Sequence, residues 1–249
     1  MTTGAVQRWG DIALADRGTY AVLSIEREAK RNAMNRACRT GLRAAMEHAR
    51  GRFAAIVLTG SGRSFCSGID QKERAQDLAR GEHGGSAEWV DVNVAIREHP
   101  AIFIAAVNGL ALGGGATLIN VCDLAIAADT AEIGMPELTF ATYPGMAGPS
   151  TQLTLTRKRA AWMVLTAERI PARTAEAWGL VNQCVPAGQL LPAAEAVEQK
   201  IAQYDAAALA ASKQALDQIP AHITDWRQAL AHGELVNARI RQRAGRNTD

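Results

Sequence analysis

Cysteine is scarce in this chain: four residues, Cys38, Cys66, Cys122 and Cys184, with no two at C-x-x-C spacing. That excludes a disulfide framework or a zinc knuckle and fits reduced thiols in a cytoplasmic protein. The five histidines show neither ligand nor triad spacing, so no metal is expected. A surplus of one charge is also missing. Lys and Arg number 27 against 25 Asp and Glu, a net of +2, which does not indicate a nucleic-acid partner. The basic clusters at Arg157, Lys158, Arg159 and from Arg239 to Arg246 read as solvated helix faces and a loose tail. The opening MTTGAVQRWGDIAL has no apolar centre, so a signal peptide is not expected. Repeats of fixed period and low-complexity linkers are absent too.

One uncharged stretch, residues 101–122, is long enough to span a bilayer. Asn108, Asn120 and a glycine triplet interrupt it, however, and a strand, a turn and a buried helix account for the same residues. No membrane association is expected. With 249 residues, 48% of them hydrophobic, the chain can bury a core without staples, as one large domain or a domain with an appendage.

What is present alternates. AVLSIE (21–26) has strand periodicity, and residues 36–50 place Leu42, Ala45, Met46 and Ala49 on one helical face that Gly51 ends. FAAIVLTG (53–60), IFIAAVNG (102–109) and DLAIAAD (123–129) are short apolar runs bounded by turn residues, the pattern of strands buried on both faces. Helices are expected at 115–121, 156–168 and, in the Ala-rich tail, near 192–203, 206–218 and 224–242. Thr174 is placed to cap a short helix ended by Gly179, before a last strand at 181–185. The polar stretch from Gln71 to His99 reads as a mobile loop, with His83 in it, leading to a helix at about 87–98. Strands alternating with helices imply an α/β fold.

Gly113, Gly114 and Gly115 follow the second buried run and precede a helix. Such a turn leaves backbone N–H groups open to a close ligand, where the helix dipole favours negative charge. A phosphate would need G-K-[ST] after the glycines, and here Ala116 and Thr117 follow. A dinucleotide fingerprint would stand at the first strand with different spacing, although Asp129 lies at a suitable distance for a ribose acid. GRSFC (62–66) fails as a serine elbow, because Cys66 replaces the last glycine. A second glycine turn, TGSGRSFCSGIDQKE (59–73), follows the earlier run. The two turns could each aim one N–H at a single carbonyl oxygen, or both could be ordinary tight turns.

Several motifs in order carry a resemblance: REAKRNAMN (27–35), SFCSGIDQKE (64–73), AAVNGLALGGGATL (105–118), IGMPE (133–137) with YPGMAG (143–148), and LTAERIPARTAEAWGLVNQCV (165–185). Together they resemble the crotonase family, the enoyl-CoA hydratase/isomerase superfamily, over most of residues 20–216. The resemblance implies a spiral core of ββα turns over residues 1–190 and C-terminal trimerising helices over 191–249. It also implies an acyl-CoA thioester ligand with coenzyme A as part of the substrate, no separate cofactor, and a homotrimer or dimer of trimers. The oxyanion hole it implies is made by the N–H groups of Ile69 and Gly114. Ser67, Gly68, Asp70 and Gly113 belong to the same turns. Lys72, with Lys30 or Arg31, matches positions facing CoA phosphates. Trp89 and the 71–98 segment would cover the acyl chain, and Tyr143, Pro144 and Gly145 would border its far side. The C-terminus, RIRQRAGRNTD, departs from longer members in lacking an aromatic segment.

Hydratases of the family carry two glutamates. Glu137 matches the second, but the first position holds Thr117. A hydroxyl does not exchange protons efficiently near neutral pH as a tuned carboxylate does. The resemblance therefore implies one proton carrier, Glu137, and a double-bond shift from 3-enoyl-CoA to 2-enoyl-CoA in preference to hydration. Residual hydration with Thr117 positioning the water, cleavage or decarboxylation of a substituted acyl-CoA, and a non-catalytic acyl-CoA binder stay open. Asp70 and Asp123 stand at turn or strand boundaries, where backbone N–H groups are the expected partners. Cys66 and Ser67, beside the oxyanion turn, are the candidate nucleophiles.

Overall fold

A computed structural model describes residues 5–82 and 84–246, so His83 lies outside the described residues. The chain opens with a hairpin of β1 (Val6–Trp9) and β2 (Ile12–Asp16), turned at Gly10 with φ +60°. β3 (Tyr20–Ile25) pairs with β2, and α1 (Arg36–Ala49) follows. The Asn35 side chain caps α1, accepting from the Cys38 N–H at 2.8 Å.

Then one unit recurs. β4 (Ala55–Gly60) and β5 (Ser64–Cys66) lead into α2 (Gln71–Ala79) and α3 (Gly84–Glu98). β6 (Ile102–Val107) and β7 (Leu110–Leu112) lead into α4 (Gly114–Val121). β8 (Leu124–Ala128) and β9 (Glu132–Gly134) lead through a 3₁₀ turn (Pro136–Phe140) into α5 (Ala147–Thr154) and α6 (Arg157–Thr166). The chain closes with β10 (Ile170–Pro171), α7 (Ala172–Trp178), β11 (Gln183–Val185), α8 (Leu190–Ile201), α9 (Ala206–His222) and α10 (Trp226–Arg246).

The first strand of each unit joins a large sheet of order β1-β2-β3-β4-β6-β8-β11, and the second joins a small sheet of order β10-β9-β7-β5. Successive units thus advance by one strand in both sheets, which is the spiral of ββα turns. From β3 to β11 the large sheet is parallel, and so are β5, β7 and β9 in the small one.

Burial on both faces explains the unbroken apolar runs. In β6, Phe103, Ala105 and Val107 enter the main core, which also holds Leu42, Met46, Trp89 and Ile96. Ile102, Ile104 and Ala106 face the other way and pack with Leu190 and Ala194 of α8. Each large aliphatic or aromatic side chain so buried contributes roughly 1.5–3 kcal/mol. α9 is tied to this sheet by Lys213. Its buried ammonium donates to the Ile96 and Ala101 carbonyls at 2.9 and 3.0 Å and pairs with Asp123 at 2.8 Å. α10 packs against α9.

The polar stretch after Gln71 departs from its expectation. It forms α2, a short connection and α3 rather than a long mobile loop. Its charges looked like a solvated loop because the pairing partners lie far away in sequence. Buried Arg39 of α1 pairs with Glu73 and Glu88, and Arg36 pairs with Asp77, Glu82 and Glu88. Thr174 is not a cap: α7 starts at Ala172 after Pro171, with Thr174 inside it, and Gly179 ends it in the left-handed conformation. Residues 101–122, the uncharged run, are β6, β7 and α4, and no described helix is long and apolar enough to cross a membrane.

Candidate active site

The chain leaves β5, β7 and β9 in one direction, because the three strands are parallel neighbours. Parallel neighbours lie about 4.8 Å apart, so residues just past their C-terminal ends fall within a few ångströms of one another. After β5 come Ser67, Gly68 and Ile69. After β7 come Gly113 and Gly114, and after β9 come Met135, Pro136 and Glu137. All except Met135 line a cavity of about 400 Å³. Open α/β sheets place their ligands at such strand ends.

The glycines let these backbones meet. A Cβ on Gly68, where φ is +87°, would stand 2.8 Å from the Leu112 carbonyl oxygen and 3.0 Å from the Gly114 nitrogen. On Gly113, at φ +51° and ψ −108°, it would stand 2.5 Å from Glu137 Oε1. One on Gly114 would press on the Trp89 ring and the Gly68 Cα, each at 3.2 Å. One on Gly115 would overlap the Cys66 carbonyl oxygen. Each member of the triplet thus meets a different neighbour, and at Gly115 that neighbour is rigid backbone. Among the described residues, neither the Ile69 nor the Gly114 N–H donates to a backbone acceptor.

Glu137 enters on the first turn of the 3₁₀ segment and is half-buried. Its Oε2 is buried with no hydrogen-bond partner among the described residues. Burial raises its pKa above the ordinary 4.5, opposed by a backbone hydrogen bond and by the positive charge of Arg74. A carboxyl group with a raised pKa and an unengaged oxygen, on the same cavity wall as two open backbone amides, can accept and return a proton at a higher pH than an ordinary carboxylate.

A family model described as enoyl-CoA hydratase/isomerase matches residues 16–241. The chain belongs to the enoyl-CoA hydratase/isomerase family. A probable enoyl-CoA hydratase, echA8, of Mycobacterium tuberculosis (strain CDC 1551 / Oshkosh) is 38% identical over 191 residues, covering 75% of this chain and 70% of that protein. A 2,3-dehydroadipyl-CoA hydratase of Escherichia coli (strain K12) is 35% identical over 202 residues, covering 79% and 78%. The crystal structure of an enoyl-CoA hydratase from Bacillus anthracis superimposes with a TM-score of 0.85 at 28% identity, covering 92% of this chain and 90% of that one.

In this member of the enoyl-CoA hydratase/isomerase family, the cavity brings together most of the residues singled out from sequence. Ser67, Gly68, Ile69, Trp89, Gly113, Gly114, Glu137, Tyr143 and Gly145 line it. Lys30, Asp70, Lys72, Thr117 and Pro144 do not. Lys30 and Lys72 are exposed. Asp70 caps α2, accepting from the Lys72 and Glu73 N–H groups, and pairs with Arg27 at 2.7 Å. Pro144 is buried, and its carbonyl accepts from the Gly148 N–H. Thr117 is buried one turn into α4, where its hydroxyl donates to the Gly113 carbonyl at 3.4 Å. Asp129 accepts from the Ala187 N–H, and Asp123 accepts from the Phe103 N–H. Cys66 is buried, its Sγ accepts from the Gly68 N–H, and burial pushes its thiol up to about 12, so it stays protonated.

The sequence reading sets residues 71–98 beside the acyl chain but names only Trp89 there. Gln71, Arg74, Ala75 and Leu78 of α2 line the cavity at i, i+3, i+4 and i+7 spacing, the signature of one helical face. That signal was present in QKERAQDL but hidden by the polarity of the segment. Phe140 and Met146 line it as well.

Proposed function

We propose that this protein shifts the double bond of an enoyl-CoA thioester, taking 3-enoyl-CoA to 2-enoyl-CoA with Glu137 as the single proton carrier. The thioester oxygen sits between the Ile69 and Gly114 N–H groups. Glu137 removes a proton from the carbon next to the thioester, and the electron pair moves onto that oxygen as a dienolate. The same carboxyl group then returns the proton to the γ-carbon, leaving the double bond in conjugation. No water is consumed. Each amide stabilises the developing charge by about 2.7–4 kcal/mol, the scale set by removing single oxyanion donors. Coenzyme A is part of the substrate, and no other cofactor is needed for these steps.

The observation that carries the reading is Glu137. Among the described residues it is the only carboxylate on the cavity wall. Hydration by the two-carboxylate route needs a second proton carrier, and the hydroxyl of Thr117 is engaged inside α4. The names of the relatives favour a second reading, hydration, which with one carboxylate on the wall would run slowly through Glu137, with Thr117 positioning the water. The test is incubation with 2-enoyl and 3-enoyl CoA thioesters of several lengths, with products identified by mass and by position of unsaturation. Conversion of 3-enoyl to 2-enoyl at unchanged mass is expected. Predominant gain of water, or chain cleavage, would overturn it. For Thr117→Glu, faster addition of water to crotonyl-CoA is expected, approaching the roughly 10²–10⁴-fold typical of a positioned acid or base. No gain would mean that the cavity cannot place that water.

Assembly as a homotrimer or dimer of trimers through the C-terminal helices belongs to the same proposal. Trp226, Leu230 and Leu235 of α10 are more than half exposed in the single chain, which supports burial against another copy. A solution mass of three or six chains is expected from light scattering, and a monomer would refute it.

A further inference from the structure

The cavity wall holds more hydrogen-bond donors than a neutral acyl thioester can use. Two are the Ile69 and Gly114 amides, and one thioester oxygen answers both. A third is the Trp89 indole. Trp89 is fully buried, lines the cavity, and its Nε1–H has no acceptor among the described residues. Leaving such a donor without a partner costs about 1–3 kcal/mol.

The fourth is Arg74. Its position on the inner face of α2 sets it among Ala75, Leu78 and Phe140. Three other arginines near α2 are engaged: Arg27 with Asp70, Arg39 with Glu73 and Glu88, and Arg80 with Asp77 and Glu82. No ion pair or hydrogen bond joins the Arg74 side chain to a described residue. Its positive charge acts on Glu137, which lines the same cavity. Arg74 is exposed to the open cavity, where its guanidinium can meet an anion, and a guanidinium matches a carboxylate with two parallel hydrogen bonds.

We infer that the acyl group accepted by this cavity carries a second carboxylate, and that Arg74 pairs with it. The substrate class is thus the enoyl-CoA monothioester of a dicarboxylic acid. The inference rests on the acyl-CoA reading above and narrows it. The CoA phosphates are the other anions that could reach a cavity arginine. The influence of Arg74 on Glu137 favours the acyl end, because Glu137 works at the acyl carbons.

The experiment compares kcat/KM for two 3-enoyl-CoA thioesters of equal chain length, one ending in methyl and one in carboxylate. It uses the wild-type protein, Arg74→Met and Arg74→Lys, and titrates free coenzyme A into each. For wild type the carboxylate-ended thioester is expected to react about ten- to hundredfold better, the range of a hydrogen bond to a charged group. In Arg74→Met that ratio falls to near one, and in Arg74→Lys it is partly kept. Free coenzyme A binds all three alike. A wild-type preference for the methyl-ended thioester overturns the inference, as does a ratio that survives Arg74→Met. Loss of coenzyme A affinity in Arg74→Met overturns it by moving the contact to the phosphates. If neither thioester binds or reacts, the acyl-CoA reading falls and takes the inference with it, whereas turnover of both without preference removes the inference alone.

Discussion

Glu137→Gln is expected to bind acyl-CoA with affinity close to wild type and to turn it over about 10²–10⁴-fold more slowly, the usual worth of a positioned acid or base. The amide keeps the shape of the side chain and its place against Gly113 but cannot take a proton. Binding by isothermal titration and turnover of a 3-enoyl-CoA separate the two effects. Turnover equal to wild type would remove Glu137 from the chemistry.

The same variant carries a pH signature. Burial raises the folded-state pKa of Glu137 above 4.5, so the folded chain retains this proton where the unfolded chain has released it. Stability then falls as pH rises from 4.5 through the folded value, and the loss persists above it. Glutamine does not titrate. Glu137→Gln should therefore melt above wild type at neutral pH, with the difference vanishing below pH 4.5. In wild type, turnover should rise with pH along a limb whose midpoint lies above the ordinary carboxylate range, since the charged form removes the first proton. A midpoint at or below 4.5 would contradict the burial argument.

The second large effect is expected at Gly68→Ala. The added carbon would stand 3.0 Å from the Gly114 nitrogen and 2.8 Å from the Leu112 carbonyl, on a backbone held at φ +87°. Neither neighbour is the end of a flexible side chain, so the strand-end turns must part. Loss of one oxyanion donor costs roughly 10²–10³-fold in kcat. A fall of that order is expected in Gly68→Ala, with the folded state checked by circular dichroism and thermal melting. Gly188→Ala, where an added carbon meets nothing within 4 Å, is the control and should keep wild-type turnover. A folded Gly68→Ala protein with unchanged kcat would show that the two amides do not act together on one oxygen.

Much of the fold was legible because the relevant signals are local. Residues 53–60, 102–109 and 123–129 read as strands buried on two faces, and β4, β6 and β8 occupy those segments, flanked by helices on one side and by α8 on the other. Gly113 to Gly115 declared a tight approach, and the neighbours that would object to a Cβ are now named. The α2 segment was misjudged for an equally physical reason. Its acids answer arginines on α1, more than thirty residues earlier in the chain, and a local pattern cannot register partners at that distance.

The candidate site divides the same way. Sequence alone determined the family, the glycine turns and the replacement of the first glutamate by Thr117, because each is a matter of residue identity and order. Only the tertiary structure decided that the ends of β5, β7 and β9 share one cavity, that Glu137 is left with an unengaged oxygen, and that the Thr117 hydroxyl turns inward. It also decided that Arg74 faces the cavity while Lys72, two residues earlier, does not. Proton affinity and hydrogen-bond demand depend on what surrounds a group, and those surroundings are assembled from strands and helices distant in the chain.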